Sequence, residues 1–89
     1  YIMPEFNGML AADTADNRIL FLLDSIKMYL DRVDRFNNNL YHTMSVIRYN
    51  MSKLNTLSTA EANTYKYKAL NYLERLYHSF VWRYGNLTT

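Results

Sequence analysis

The sequence contains no cysteine, one proline and two glycines, and each shortage excludes a class of structure or chemistry. Without cysteine there is no disulfide framework and no thiolate site. The strong helix breakers Pro4, Gly8 and Gly85 all lie near the two ends of the chain, so residues 9–84 contain neither residue type. A long interior free of breakers is typical of an all-α fold, which is the class we predict.

Long apolar runs are also missing. The longest, Ile19–Leu23, is far shorter than the roughly 20 residues that a membrane-spanning helix needs. The chain begins with Tyr1 rather than methionine, and its first residues lack the basic, apolar and small-residue succession of a secretory leader. We therefore expect no membrane span, an intracellular or virion setting rather than secretion, and a chain that is a piece of a longer protein.

Motifs for catalysis and cofactor binding are absent as well. No glycine-rich loop could hold a phosphate, and neither histidine belongs to a recognisable nucleophile–base motif. His78 follows Glu74 by four residues, which predicts an ordinary surface pair on one helical face, because two ligands are too few for a metal site. The sequence therefore predicts no catalytic residue, no metal, no cofactor and no small-molecule substrate, and hence not an enzyme.

A seven-residue repeat of apolar positions dominates the stretch from Asn17 to Leu57. Such a repeat indicates a helix that turns one face towards a partner helix. The repeat consists of Ile19, Ile26, Val33, Leu40, Ile47 and Leu54. The pattern favours one long helix of roughly 60 Å. An N-terminal arm over residues 1–13 would precede it, with Asp13, Thr14 or Asp16 as the helix cap.

Three asparagines, Asn37–Asn39, stand in the middle of this stretch and leave a second interpretation open. Asparagine is a poor helix former, so the triplet is a candidate turn. A turn there would break the stretch in two and give a three-helix bundle. The unbroken register of Val33 and Leu40 across the triplet favours the single helix, because a loop would reset the phase of the repeat.

A further helix is predicted over residues 58–84. Ser58 and Glu61 have the spacing of a capping box, and Gly85 suits the left-handed position after a helix end. Apolar residues at helical spacing give this helix an inner face. That face comprises Tyr65, Ala69, Leu70, Leu73, Leu76, Tyr77 and Phe80. The short linker predicts an antiparallel helical hairpin over residues 14–85, followed by a tail over residues 86–89.

This helix also carries aromatic and basic residues that its inner face cannot hold. Tyrosine, tryptophan and arginine are the favoured anchors of protein interfaces, and surfaces that combine aromatic and basic residues also bind nucleic acid. Charge is uneven along the chain, since residues 1–39 hold six acids and four bases whereas residues 40–89 hold two acids and six bases. This asymmetry can orient two halves of the chain, or two copies of it.

Two functional hypotheses follow. The first is a structural or protein-interaction module that works by helix packing in a homo- or hetero-oligomeric assembly, such as a viral assembly protein. Its contact residues would be Tyr67, Trp82, Tyr72 and Tyr84, with the repeat members Ile19, Ile26, Val33, Leu40 and Ile47. The second is a small nucleic-acid-binding helical domain that uses Lys66, Lys68, Arg75 and Arg83. We favour the first, because the basic surplus is small for a phosphate-binding surface.

Overall fold

A computed structural model of the chain describes residues 12–85, and in that range the fold is all-α, as predicted. Helix α1 spans Ala12–Val33, α2 spans Asn38–Ser52 and α3 spans Thr59–Tyr84, with a 3-10 turn at Leu54–Thr56 between α2 and α3. The described residues contain no strand. Residues 1–11 of the predicted arm and the predicted tail, residues 86–89, lie outside the described range.

The chain turns between α1 and α2, so the single long helix that the repeat favoured is wrong and the three-helix alternative is correct. The break falls at residues 34–37 rather than at Asn37–Asn39. Asn37 is the N-cap of α2, and its side-chain oxygen accepts the backbone N–H of Leu40 at 3.1 Å. Asparagine is among the best residues for this position, because its oxygen satisfies a free amide of the first turn. Asn38 and Asn39 then begin α2.

The turn reverses the chain, so that α2 runs antiparallel to α1. Arg48 donates a hydrogen bond to Asp24 at 2.8 Å, and the Tyr41 hydroxyl donates one to Asp31 at 2.5 Å. Residue numbers therefore rise along one helix as they fall along the other.

A second reversal makes α3 parallel to α1. The rings of Phe21 and Tyr77 meet edge to face with centroids 5.9 Å apart, and further along both helices the Tyr29 hydroxyl donates to the Gly85 carbonyl at 2.5 Å. This corrects the hairpin prediction, because the last helix runs parallel to the first. Helix α2 runs antiparallel to both α1 and α3, and it packs mainly against α1.

The core lies along α1, which contacts both other helices, whereas α2 and α3 share little contact. Seven residues of α1 recur at intervals of three and four and are buried on one face. They are Ala15, Ile19, Leu22, Leu23, Ile26, Tyr29 and Leu30. Helix α2 adds Met44 and Ile47, and α3 adds Ala69, Leu70, Leu73 and Phe80. The inner face predicted for α3 is thus confirmed, with Tyr65, Leu76 and Tyr77 partly buried at its margin.

Both ends of α3 form as predicted. The Ser58 hydroxyl accepts the backbone N–H of Glu61 at 3.2 Å, and the Glu61 carboxylate accepts the backbone N–H of Ser58 at 3.3 Å. This reciprocal bonding satisfies two amides that the first turn leaves without partners. Gly85 ends the helix at φ +79°, a conformation that a Cβ atom would disfavour.

Candidate interaction surface

The isoleucines of the seven-residue repeat are used inside this chain. Ile19 and Ile26 are fully buried and Ile47 nearly so, because α2 and α3 cover the face of α1 on which the core is built. Leu40 packs partly against the same core, and Val33 is half-exposed at the end of α1. This corrects the prediction that the repeat offers a seam to a partner: Ile19, Ile26 and Ile47 are core residues of this chain.

The aromatic residues predicted to point outward from α3 do so. Trp82, the only tryptophan of the chain, is 84% exposed, and Tyr67 and Tyr72 are about half-exposed. Tyr67 and Tyr72 lie about 140° apart around the helix, so they flank its outer side rather than share one edge. Tyr84 is also half-exposed, and its ring centroid lies 6.0 Å from that of Phe80.

The basic residues of α3 divide into two groups, and one prediction about them needs correction. Lys66 is only 9% exposed, and its Nζ atom lies 3.0 Å from Asp16 Oδ1 on α1, so it faces the fold rather than a ligand. The Arg83 guanidinium lies over the rings of Phe80 and Tyr84, with 5.3 Å to each centroid. Lys68 and Arg75 are exposed.

Lys68, Arg75 and Trp82 form a straight row on the outer side of α3, which we name the α3 row. Members of the row are seven residues apart, and this spacing drifts only about 20° around a helix per step. The row is therefore about 21 Å long on one side of the helix. Within the described part of the chain no carboxylate pairs with either cation of the row.

A buried ion pair fixes which side of α3 turns outward. Arg18 on α1 donates from Nε to Glu74 Oε2 at 2.6 Å and from Nη2 to Glu74 Oε1 at 2.7 Å, and Glu74 is fully buried. His78 Nε2 lies 3.6 Å from the same carboxylate. Bidentate bonding to a guanidinium is the arrangement that best compensates a carboxylate for lost water. Because successive residues are about 100° apart, holding Glu74 inward directs Arg75 outward.

Sequence reasoning missed this pair. We predicted Glu74 and His78 as an ordinary surface pair, but Glu74 belongs to the α1–α3 contact. Arg18 and Glu74 are separated by 56 residues, so no local spacing could have revealed them. The consequence for charge is direct: α3 has two carboxylates, of which Glu74 is buried and Glu61 caps the helix start, and its outer side is left basic.

Helix α1 carries two acids on its outer side, which were also missed. Asp24 and Asp31 are exposed and seven residues apart, and we name them the α1 row. Three half-exposed apolar residues accompany the row: Leu20, Phe21 and Met28. The signal that could have revealed the α1 row is the spacing of its two acids, which equals that of Lys68 and Arg75.

Local contacts favour the ionised form of Asp31. Hydrogen bonds from the Tyr41 hydroxyl and from Lys27, the latter at 2.9 Å, lower the pKa of Asp31 below its ordinary value. In return, the hydrogen bond to Asp31 raises the pKa of Tyr41 to about 12. Asp24 accepts from Arg48 and its side chain is still 69% exposed. Both acids of the α1 row therefore already pair with a cation of their own chain, yet each remains accessible to solvent.

The remaining surface offers little for chemistry. An open cleft of about 410 Å³ lies at the start of α3 between Leu57, Tyr65 and Lys68, and its walls are mostly apolar. Among residues 12–85 no cluster of three or more histidines and carboxylates has the geometry to hold a metal ion.

No helix in the described range combines the length and apolar character needed to cross a membrane. Comparison of the chain with protein-family models, curated proteins and solved structures gave no match. The function is therefore argued from the surface itself.

Proposed function

We propose that this chain is a protein-interaction module that works by helix packing, with the α3 row and its flanking tyrosines as the contact surface. One observation carries the proposal: Trp82 is 84% exposed and lies in line with two exposed cations. The opposite side of the same helix packs into the core through Leu70, Leu73 and Phe80. A module of this kind serves in a homo- or hetero-oligomeric assembly, a viral one included.

The composition of the surface supports a protein partner. Tryptophan, tyrosine and arginine recur as the residues that contribute most to binding energy in protein interfaces. Twelve large apolar side chains are exposed within residues 12–85, on all three helices or the turns that join them. Single exposed apolar residues are ordinary, but clusters of them mark contact sites. The clusters here are the ones beside the α3 and α1 rows.

A nucleic-acid partner receives less support. Of the four cations predicted for it, Lys66 is neutralised by Asp16, and Arg83 lies against the rings at the end of the helix. Lys68 and Arg75 are left as exposed cations, and affinity for nucleic acid grows with the number of phosphates that a protein neutralises.

Site-specific photo-cross-linking tests the proposal. A benzophenone amino acid would replace Trp82 in one variant and Ser45, an exposed polar residue of α2, in the control. Both would be irradiated as purified chain at rising concentration and in cell extract. We expect a discrete protein adduct from position 82, either a dimer of the chain or a complex with another protein, and none from position 45. Equal labelling at both positions, or none at position 82, contradicts the proposal.

A further inference from the structure

The two outer rows of the molecule are complementary in charge and in spacing. The α1 row presents two carboxylates seven residues apart, and the α3 row presents two cations seven residues apart. Helices packed side by side place residues at this interval opposite each other repeatedly, and opposite charges at such positions decide which helices pair. One α1 and one α3 from different molecules can therefore form both ion pairs at once.

The apolar residues beside the rows are complementary too. Phe21 and Met28 lie on one side of the α1 row and Leu20 on the other, all of them half-exposed. Tyr67 and Tyr72 flank the α3 row in the same way. Bringing the rows together would remove aliphatic and aromatic surface from water on both helices, which stabilises association.

We propose that the partner of the α3 row is the α1 row of a second copy of this chain, and that the two helices pair antiparallel. This inference rests on the proposed function. In the antiparallel alignment, Arg75 meets Asp24 and Lys68 meets Asp31, which places Trp82 opposite Asn17, within α1. A parallel alignment would place Trp82 opposite residue 38, beyond the end of α1 at Val33.

The two rows lie on neighbouring helices of the molecule. The contacts of Phe21 with Tyr77 and of Arg18 with Glu74 join α1 to α3 between the two rows. A two-fold axis can therefore apply the same contact twice, with α1 of each copy on α3 of the other. The molecule measures 38 × 28 × 16 Å, so a broad side has room for the roughly 800 Å² per partner of a standard interface.

The α1 row also argues against other partners. A nucleic acid on the α3 row would leave Phe21 and Met28 beside the α1 row uncovered. The existing pairs of Asp24 and Asp31 within the chain are exposed, with 69% and 49% of their side chains accessible, so each can accept a further cation.

Exchanging the charges of the two rows tests the inference. One variant carries Lys68→Glu and Arg75→Glu, and the other carries Asp24→Lys and Asp31→Lys. Sedimentation equilibrium would measure association at low salt, and circular dichroism would verify that each variant keeps its helices. We expect the parent to dimerise and each variant alone to lose at least about tenfold in dimer affinity. An equimolar mixture of the two variants should recover the parent's affinity, because mixing restores both ion pairs at both contacts.

The control carries Arg35→Glu and Lys53→Glu at exposed cations outside both rows, which gives the same change in net charge as Lys68→Glu with Arg75→Glu. It should dimerise like the parent. A dimeric parent whose two variants do not associate on mixing rejects the row pairing. A parent that is monomeric while position 82 cross-links to a different protein rejects the second copy and leaves the proposed function intact. A monomeric parent with no adduct at position 82 rejects both.

Discussion

The two helix pairings of α1 are built from different interactions. Its pairing with α3 contains the buried Arg18–Glu74 pair and the stacked rings of Tyr29 and Phe80, whose centroids are 5.3 Å apart. Its pairing with α2 adds the buried Met44 and Ile47, but its ion pairs are exposed. In the first pairing Glu74 is fully buried and 26% of the Arg18 side chain is exposed, whereas in the second both Arg48 and Asp24 are about half exposed or more and compete with water. The α1–α3 pairing should therefore depend far more on its charges.

The largest expected effect comes from breaking the buried pair. Arg18→Ala leaves Glu74 as a buried carboxylate without its guanidinium, and losing one partner of such a pair costs about 3–5 kcal/mol of unfolding free energy. Arg48→Ala is the matched control, because it removes the exposed partner of Asp24 on the α2 side and should cost about 0–1 kcal/mol. Urea denaturation of both variants measures the difference. Equal losses would show that the two pairings do not differ in this way.

The next prediction tests whether the chain turns between α1 and α2, as the structure shows, or continues as one helix. Thr43→Pro lies inside α2 and should cost about 3 kcal/mol or more, since it removes a helical hydrogen bond and clashes with the preceding turn. Asn38→Pro lies at the first residue of α2, where proline is tolerated, and should cost far less. Thermal melting by circular dichroism compares the two variants. A large loss from Asn38→Pro would instead indicate one helix continuing from α1 into α2.

The smallest effect concerns pH at the exposed α1–α2 contact. The lowered pKa of Asp31 means that its bond to Tyr41 stabilises the fold above the ordinary carboxyl pKa and is lost as pH falls through the lowered value. The pKa of Tyr41, raised to about 12, means that the stabilisation is present below about pH 10 and is lost as pH rises towards about 12. The stability difference between the parent and Tyr41→Phe should thus be level near neutral pH and shrink on both sides. Tyr49→Phe, which removes a hydroxyl group from an exposed tyrosine of the same helix, is the matched control.

Local chemistry explains what the sequence could predict. The capping box of Ser58 and Glu61 and the stop at Gly85 act within a few residues, so their spacing is visible in the sequence. The turn after α1 was harder, because Val33 and Leu40 keep the same heptad phase although they belong to different helices. The shared heptad phase of Val33 and Leu40 is a coincidence, because the helix ends between them and Asn37 caps the start of α2.

Distant contacts explain what the sequence could not predict. Lys66 was predicted as a nucleic-acid contact because basic and aromatic residues are interleaved on α3, yet Asp16, fifty residues earlier in the chain, holds it inward. Glu74 was expected at the surface and is buried by Arg18 in the same way. Each outcome depends on how α1 and α3 are rotated against each other, and that rotation follows from the packing of both helices rather than from either sequence alone.

The parallel course of α1 and α3 has a consequence for anything joined to this domain. Tyr29 holds Gly85 near the end of α1 that lies opposite Ala12. A helix of this length is about 33 Å long, so the backbone enters at one pole of the domain and leaves at the other. Ala12 and Gly85 therefore lie at opposite ends of the domain, so two probes attached at these residues would be held apart rather than brought together.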